Sequence, residues 1–294
     1  MIKIKKFDLK KGVLAPIIPE SGGGLSMETY LLEKGKNKYI VRRCNSEKRA
    51  EYYEVILKRL SKYGVLPKQI KRNGKNIIYE YLCGRDLKKK ENFKVFEQVG
   101  QVCAKINSVK KLTEEDINII FYKQLEELRK GSYRKFTLDE MKGKRKRRPN
   151  ERHDIRRIKP LITNNEEDKI KRINNSLIEN TKAIVCLDAV DVSPANFRLS
   201  KGKVYFVDIG GIKTTIKGIG LAKGLWGWAQ TEKQRLAILH GYFSISKEEF
   251  SEDYLNLIRL HYIIQSLHDR VKIGRDYKKQ LLMLKSFLKN YPKD

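Results

Sequence analysis

Hydrophobic and polar positions follow two different periods along this chain. In roughly the first eighty residues the apolar positions fall mostly into short runs of strand length. Tyr30–Leu32 and Lys38–Arg42 are two such runs, separated by the turn residues Lys34-Gly35-Lys36-Asn37. The period then lengthens: Ala50, Tyr53, Ile56, Leu57 and Leu60 recur at helical spacing and predict a helix over 47–63. Ser46 is placed to cap it and Gly64 to end it. Gln69–Lys71 and Asn76–Leu82 follow as a hairpin around Asn73-Gly74. Beyond Gly84 the helical period dominates. Phe96, Val99, Gly100, Cys103 and Ile106 form one stripe over Phe93–Asn107, and residues 253–290 read as a helical pair. Ala183–Leu187 and Val204–Val207 interrupt this with apolar runs of strand length, flanking a loop and the turn Ser200-Lys201-Gly202-Lys203. The rest of the chain to Asp294 reads as helical. There Trp226, Trp228, Leu236 and Tyr242 lie near one another, the two tryptophans as core. No segment repeats another.

Residues 129–160 fit neither period. They hold fourteen lysines and arginines against four acids, and too few apolar side chains to form a core of their own. The whole chain is basic as well, with 64 Lys+Arg against 35 Asp+Glu and a formal charge of +29. Such an excess opposes folding through self-repulsion and points to a polyanionic partner. A lysine-rich genome is the bland explanation, but drift of that kind usually adds Glu alongside Lys.

At 294 residues the chain can bury one two-lobed domain or two small ones. Cys44, Cys83, Cys103 and Cys186 lie far apart, without C-x-x-C pairs or histidines at zinc spacing, which suits a reducing cytoplasm. His153, His240, His261 and His268 show no metal spacing, and the last two read as surface or packing residues. The first residues lack an apolar signal core and no stretch approaches 18 apolar residues, so a cytoplasmic protein with no membrane partner is expected.

The densest chemical signal is Asp191-Val-Ser-Pro-Ala-Asn196, then a hairpin, then Val207-Asp208-Ile209-Gly210. Phosphoryl transfer needs a carboxylate to orient and deprotonate the incoming hydroxyl, and hard oxygen ligands to hold Mg²⁺ on the phosphates. An Asp and an Asn five residues apart can serve acceptor and metal respectively, and a second Asp after a hairpin completes the metal site.

These residues resemble the catalytic loop and metal-binding Asp of the aminoglycoside-phosphotransferase and RIO-like branch of the protein-kinase superfamily. The likeness runs in order through nearly the whole chain. It implies an α+β, two-lobed kinase-like fold: a small β-rich N-lobe with one helix over 1–82, and a larger, mainly helical C-lobe over 83–294. It further implies ATP and Mg²⁺ as cofactors, Asp191 as catalytic base, and Asn196 and Asp208 as metal ligands. Gly22, Gly23 and Gly24 lie where the family covers the phosphates. Arg42 stands where the family has its phosphate-binding Lys, with Arg43 or a nearby Lys as substitutes, and Glu51, ahead of Glu54, is the expected ion-pair partner. The backbone around Glu80–Leu82 would bind adenine. Ala189 replaces the family's loop-bracing His, and Ile106-Asn107 replaces a Leu-His.

The basic excess bears on the acceptor. A cationic aminoglycoside or choline is repelled by a +29 protein unless its cleft is locally acidic. Lys144, Arg145, Lys146, Arg147, Arg148, Arg152, Arg156 and Arg157 precede the catalytic loop and suit a phosphate backbone. The expectation is therefore an RNA kinase, similar to the archaeal type that phosphorylates a tRNA ribose 2′-hydroxyl, with RNA rather than DNA as partner. Two alternatives stay open. One is a small-molecule kinase of the aminoglycoside, choline or sugar type, including one with an acidic acceptor. The other is a degenerate kinase fold that only binds or supports.

Overall fold

The short runs near the start of the chain pair into one antiparallel sheet. In the computed structural model, which describes residues 13–16, 28–109, 126, 129, 132–137, 153–158, 160–272 and 276–291, its strands are β1 (Val13–Pro16), β2 (Glu28–Lys34), β3 (Asn37–Arg43), β4 (Gln69–Asn73) and β5 (Asn76–Glu80). Their order is β1-β2-β3-β5-β4. The hairpins turn where the sequence places them, with Gly35 and Gly74 at positive φ. Helix α1 (Glu47–Ser61) takes its N-cap from Ser46, whose side chain accepts the Arg49 N–H, and buries Ala50, Tyr53, Ile56, Leu57 and Leu60.

After the two-residue strand β6 (Arg85–Asp86) comes α2 (Phe93–Asn107), which matches the apolar stripe. The basic region contributes a two-stranded ribbon, β7 (Ser132–Thr137) paired with β8 (His153–Ile158). Helix α3 (Asn164–Thr181), for which the apolar pattern alone predicts no element, starts from a Thr163/Glu166 capping box. Strands β9 (Val185–Ala189), β10 (Phe197–Ser200) and β11 (Lys203–Phe206) follow. The turn between the last two holds Lys201 and Gly202 at positive φ, the geometry that suits a tight hairpin.

The expected helical remainder begins with a strand instead. β12 (Ile212–Ile216) pairs with β9, burying Ile212, Thr214 and Ile216 on one side in period two. Then come α4 (Ile219–Ala222), a wide turn over Lys223–Trp228, α5 (Glu232–Ser246), α6 (Glu252–Lys272) and α7 (Lys278–Asn290). The wide turn closes with Ala229 N–H bonding the Gly224 carbonyl at 2.9 Å.

One apolar core runs from α1 and β5 through α2 to Phe197, Phe206, Trp228 and Tyr242, so the sheet half and the helical half share it. A second core lies among α3, α4, α6 and α7. Helices α2 and α5 approach so closely that a Cβ at Gly100 would fall 2.0 Å from the Ile238 carbonyl, and one at Gly241 equally near that of Glu97. Trp228 is core as expected, Trp226 is partly buried between the two clusters, and Leu236 is exposed on the outer face of α5. His261 and His268 are buried packing residues; His261 bonds Asn174 at 2.8 Å, and burial lowers its pKa to about 3, keeping it neutral. The cysteines are free, with only Cys83 exposed. Among the described residues no helix is long and apolar enough to cross a membrane.

Candidate active site

Asp191 and Asn196 stand on the loop between β9 and β10, and Asp208 follows β11. Backbone bonds tie these pieces together: Val190 N–H to the Gly211 carbonyl at 2.9 Å, and Val207 N–H to the Asn196 carbonyl at 2.8 Å. Val192, fully buried, anchors the middle of the loop. The Asn196 carboxamide N–H donates to the Asp191 carbonyl at 2.9 Å, so the amide nitrogen is engaged and its oxygen is the atom that could accept or ligate. The three residues singled out in the sequence therefore occupy one connected unit.

Each carboxylate has a cation. Lys223, the first residue of the wide turn, pairs with Asp191. Burial would raise the Asp191 pKa, but the Lys223 ammonium, helped by Ser193 and Asn196, outweighs it and holds the carboxyl below its ordinary range. Asp191 is thus ionised at neutral pH. Arg42, from the end of β3, donates to Asp208 at 3.0 Å, and its guanidinium lies 5.8 Å from the Tyr53 ring centre.

Glu51 is not the partner of Arg42. The phase of α1 decides this: Ala50, Tyr53 and Leu57 face inward, which leaves Glu51 exposed, 3.7 Å from Arg72. Glu54 also meets Arg72, at 2.7 Å. Tyr53 fills the inward position, and the carboxylate that Arg42 meets is Asp208.

The segment from Tyr79 to Leu87 is fixed by Arg198, two residues after Asn196. Its guanidinium donates to the carbonyls of Leu82 at 2.6 Å and Gly84 at 2.8 Å and pairs with Asp86 at 3.0 Å. Gly84 is required at this contact: its φ is 153°, and a Cβ would fall 2.0 Å from the Leu199 carbonyl. The Glu80 N–H is taken by the Lys68 carbonyl at 2.9 Å. The Leu82 N–H has no partner among the described residues.

Position 189 is Ala, and the strand before the loop is held by buried polar groups around Asp188 and Asn107. Asp188, with no exposed surface, accepts the Gly220 N–H at 3.1 Å through Oδ2, while its Oδ1 has no bond among the described residues. Burial pushes its pKa up to about 6. Beside it Asn107 donates to the Leu187 carbonyl at 2.9 Å and accepts from the Tyr242 hydroxyl at 2.7 Å. These groups fasten β9 to α2, α4 and α5 just before the Asp191 loop.

Gly22, Gly23 and Gly24 lie outside the described residues, between β1 and β2. Lys144, Arg145, Lys146, Arg147, Arg148 and Arg152 also lie outside them. Arg156 and Arg157 lie on β8, where the backbone pairing is described. The sequence reading missed Lys223, Arg198 and Asp188. Only Arg198 carried a signal, as a charged residue at the start of a strand two places after Asn196.

Among the described residues no group of three or more His, Cys, Asp or Glu side chains could hold a metal ion. The Asp208 carboxylate and the Asn196 carboxamide oxygen, on segments joined by the Val207–Asn196 backbone bond, would offer a two-ligand, all-oxygen set. That set suits Mg²⁺, which keeps waters and shares phosphate oxygens, and not a metal needing a full protein cage.

No family model and no curated protein matches the sequence. Solved structures do. A choline kinase from Streptococcus pneumoniae aligns at a TM-score of 0.64 and 16% identity, over 92% of both chains. An ethanolamine kinase from Plasmodium vivax gives 0.58 at 14%, over 95% of this chain and 82% of that one. A macrolide 2′-phosphotransferase from Brachybacterium faecium gives 0.56 at 10%, over 96% and 93%. At these identities the likeness is one of fold. The chain has the two-lobed kinase-like fold, with a small antiparallel sheet beside a larger helical part. Within that fold, its neighbours are phosphotransferases named for small molecules.

Proposed function

We propose that this protein transfers the γ-phosphoryl group of ATP to a hydroxyl of a small molecule. The observation that carries the reading is the single unit formed by Asp191, Asn196 and Asp208, with Arg42 reaching Asp208 from the sheet half. The fold neighbours support the small-molecule acceptor over the RNA expected from charge.

In this reading the Asp191 carboxylate accepts a hydrogen bond from the incoming hydroxyl and takes its proton as the oxygen attacks phosphorus. Asp208 and the Asn196 oxygen would hold Mg²⁺, which offsets the negative charge of the phosphates during transfer. Arg42 is close enough to Asp208 to contact the same phosphates. The Leu82 N–H offers a donor to adenine. The test is titration of MgATP and MgADP into the purified protein, followed by ADP release against panels of hydroxyl compounds. No MgATP binding would overturn the reading.

A second reading keeps RNA as acceptor. It rests on the +29 charge and on the basic residues of 129–160, including Arg156 and Arg157. Label from γ-labelled ATP appearing on total tRNA, and on no small metabolite, would favour it.

A further inference from the structure

The turn that carries the cation partner of Asp191 also packs against a second cation, Arg259 of α6. Lys223 opens the wide turn and pairs with Asp191. Its stem crosses Gly227, where a Cβ would fall 3.4 Å from Lys223 Cγ and 2.7 Å from the Tyr262 hydroxyl. Trp226, on the same turn, lies under the guanidinium of Arg259, 5.5 Å from ring centre to Cζ, and Phe287 lies at 6.0 Å. Arg259 and Tyr262 are one turn apart on α6, so two successive residues of the wide turn, Trp226 and Gly227, meet α6 at Arg259 and at Tyr262, and Lys223 reaches the second of these contacts.

Arg259 is half-buried, its Nε is buried without a hydrogen bond, and among the described residues no carboxylate meets it. Burial lowers its pKa, and the nearby positive charge of Arg235 lowers it further. Among the described residues, the acid paired with Arg235 is Glu232 on its own helix, at 2.9 Å. A half-buried guanidinium stacked on indole, with no carboxylate partner among the described residues, suits a phosphate or carboxylate. A cationic acceptor brought to Asp191 would meet Lys223, and Arg259 stands on the far side of the same turn's Trp226.

We propose that the acceptor carries an anionic group, a phosphate or a carboxylate, which Arg259 binds beside Lys223 while the acceptor's hydroxyl reaches Asp191. This rests on the phosphotransferase reading above. In the step, the acceptor oxygen bonds to the γ-phosphorus, the bond from that phosphorus to the β,γ-bridging oxygen breaks, the hydroxyl proton passes to Asp191, and ADP leaves. A small phosphorylated alcohol and an RNA ribose beside its phosphate share this chemistry.

The experiment is calorimetric titration of inorganic phosphate into the full chain saturated with MgADP. Wild type is expected to bind it, Arg259→Gln to bind at least about tenfold more weakly, and Arg259→Lys to retain part of the affinity. Equal binding by wild type and Arg259→Gln, or no binding by wild type, would overturn the proposal. So would choline in place of phosphate binding the MgADP-loaded protein. Displacement of the phosphate by glycerol 3-phosphate identifies a small acceptor, and displacement only by a tRNA transcript identifies RNA. Failure of MgADP itself to bind defeats the phosphotransferase reading. The phosphate titration then runs on the free protein, where the Arg259→Gln comparison still decides the anion site.

Discussion

Arg42 donates to Asp208 at 3.0 Å, so the cation expected at the phosphates holds the carboxylate expected at the metal. Only 7% of the Arg42 side chain is exposed, against 28% for Asp208. The arginine is thus the buried member of the pair and the carboxylate the more accessible one. If Asp208 held Mg²⁺ as proposed, it would share its carboxylate between the metal and Arg42, and the phosphates would supply Arg42 with negative charge in return. Bare Mg²⁺ lacks that compensation, so metal and nucleotide should bind together.

Arg42→Ala should lower stability by about 1–3 kcal/mol, since it leaves a half-buried carboxylate without its partner. It should also weaken MgATP binding by at least about tenfold. Urea unfolding and MgATP titration read the two effects separately. Arg42→Lys should recover more of the binding than of the stability, because an ammonium replaces the charge but not the planar face over Tyr53.

Asp191→Asn should lower the rate of phosphoryl transfer by about 10²–10⁴-fold while leaving nucleotide affinity nearly unchanged. Rapid-quench transfer and MgADP titration give the two numbers. A variant that loses nucleotide binding as well would place Asp191 among structural residues.

Asp188 gives stability a pH dependence of known sign. Its pKa is about 6 in the folded protein against an ordinary 3.8, so between these values the native state binds more protons than the unfolded one. Stability from this group is full below about pH 4 and falls as pH rises through 6, by about 3 kcal/mol in total. Asp188→Asn should remove that component, so its stability difference from wild type should shift between pH 4.5 and pH 7 in favour of the variant. A parallel pair of pH profiles would show that the carboxyl does not titrate in the fold.

Glu51→Gln should be nearly silent, within about 0.5 kcal/mol in stability, because the exposed pair with Arg72 is weak. Transfer rate should be unchanged too. A large loss of activity would restore Glu51 to the site.

Gly84→Ala should cost about 2–4 kcal/mol or shift the 81–86 segment, because neither the φ of 153° nor the Leu199 carbonyl leaves room for a Cβ. Nucleotide affinity is the sensitive readout, since the same segment carries the open Leu82 N–H.

Local patterns made much of this fold legible. The Ser46 cap, the hairpin at Asn73-Gly74 and the stripe over Phe93–Asn107 are properties of short segments, and each element forms at or within a few residues of its expected place. Helix α3 escaped despite its Thr163-x-x-Glu166 box, because the basic stretch before it masks the return of apolar spacing at Ile170, Ile173 and Leu177. β12 escaped because Ile212 and Ile216 fit a helical repeat as well as a strand's.

The site was legible where its chemistry is contiguous, as from Asp191 to Asn196 and on to Asp208. It was not legible where partners are brought together by packing. Nothing in the spacing of Lys223 or Asp188 announces that one meets Asp191 and the other stiffens the strand before it. The partner of Arg42 depended on the rotation of α1 about its axis, a choice made by Ala50, Tyr53 and Leu57 rather than by the two glutamates.

The apolar core shared between sheet and helical halves has a consequence for how the protein comes apart. Tyr53, Phe96, Phe206 and Tyr242 belong to the same interior, so exposing either half strips apolar surface from the other. The two lobes should melt in a single cooperative transition, and nucleotide bound against the sheet should raise the melting temperature of the most distant helix touching that core.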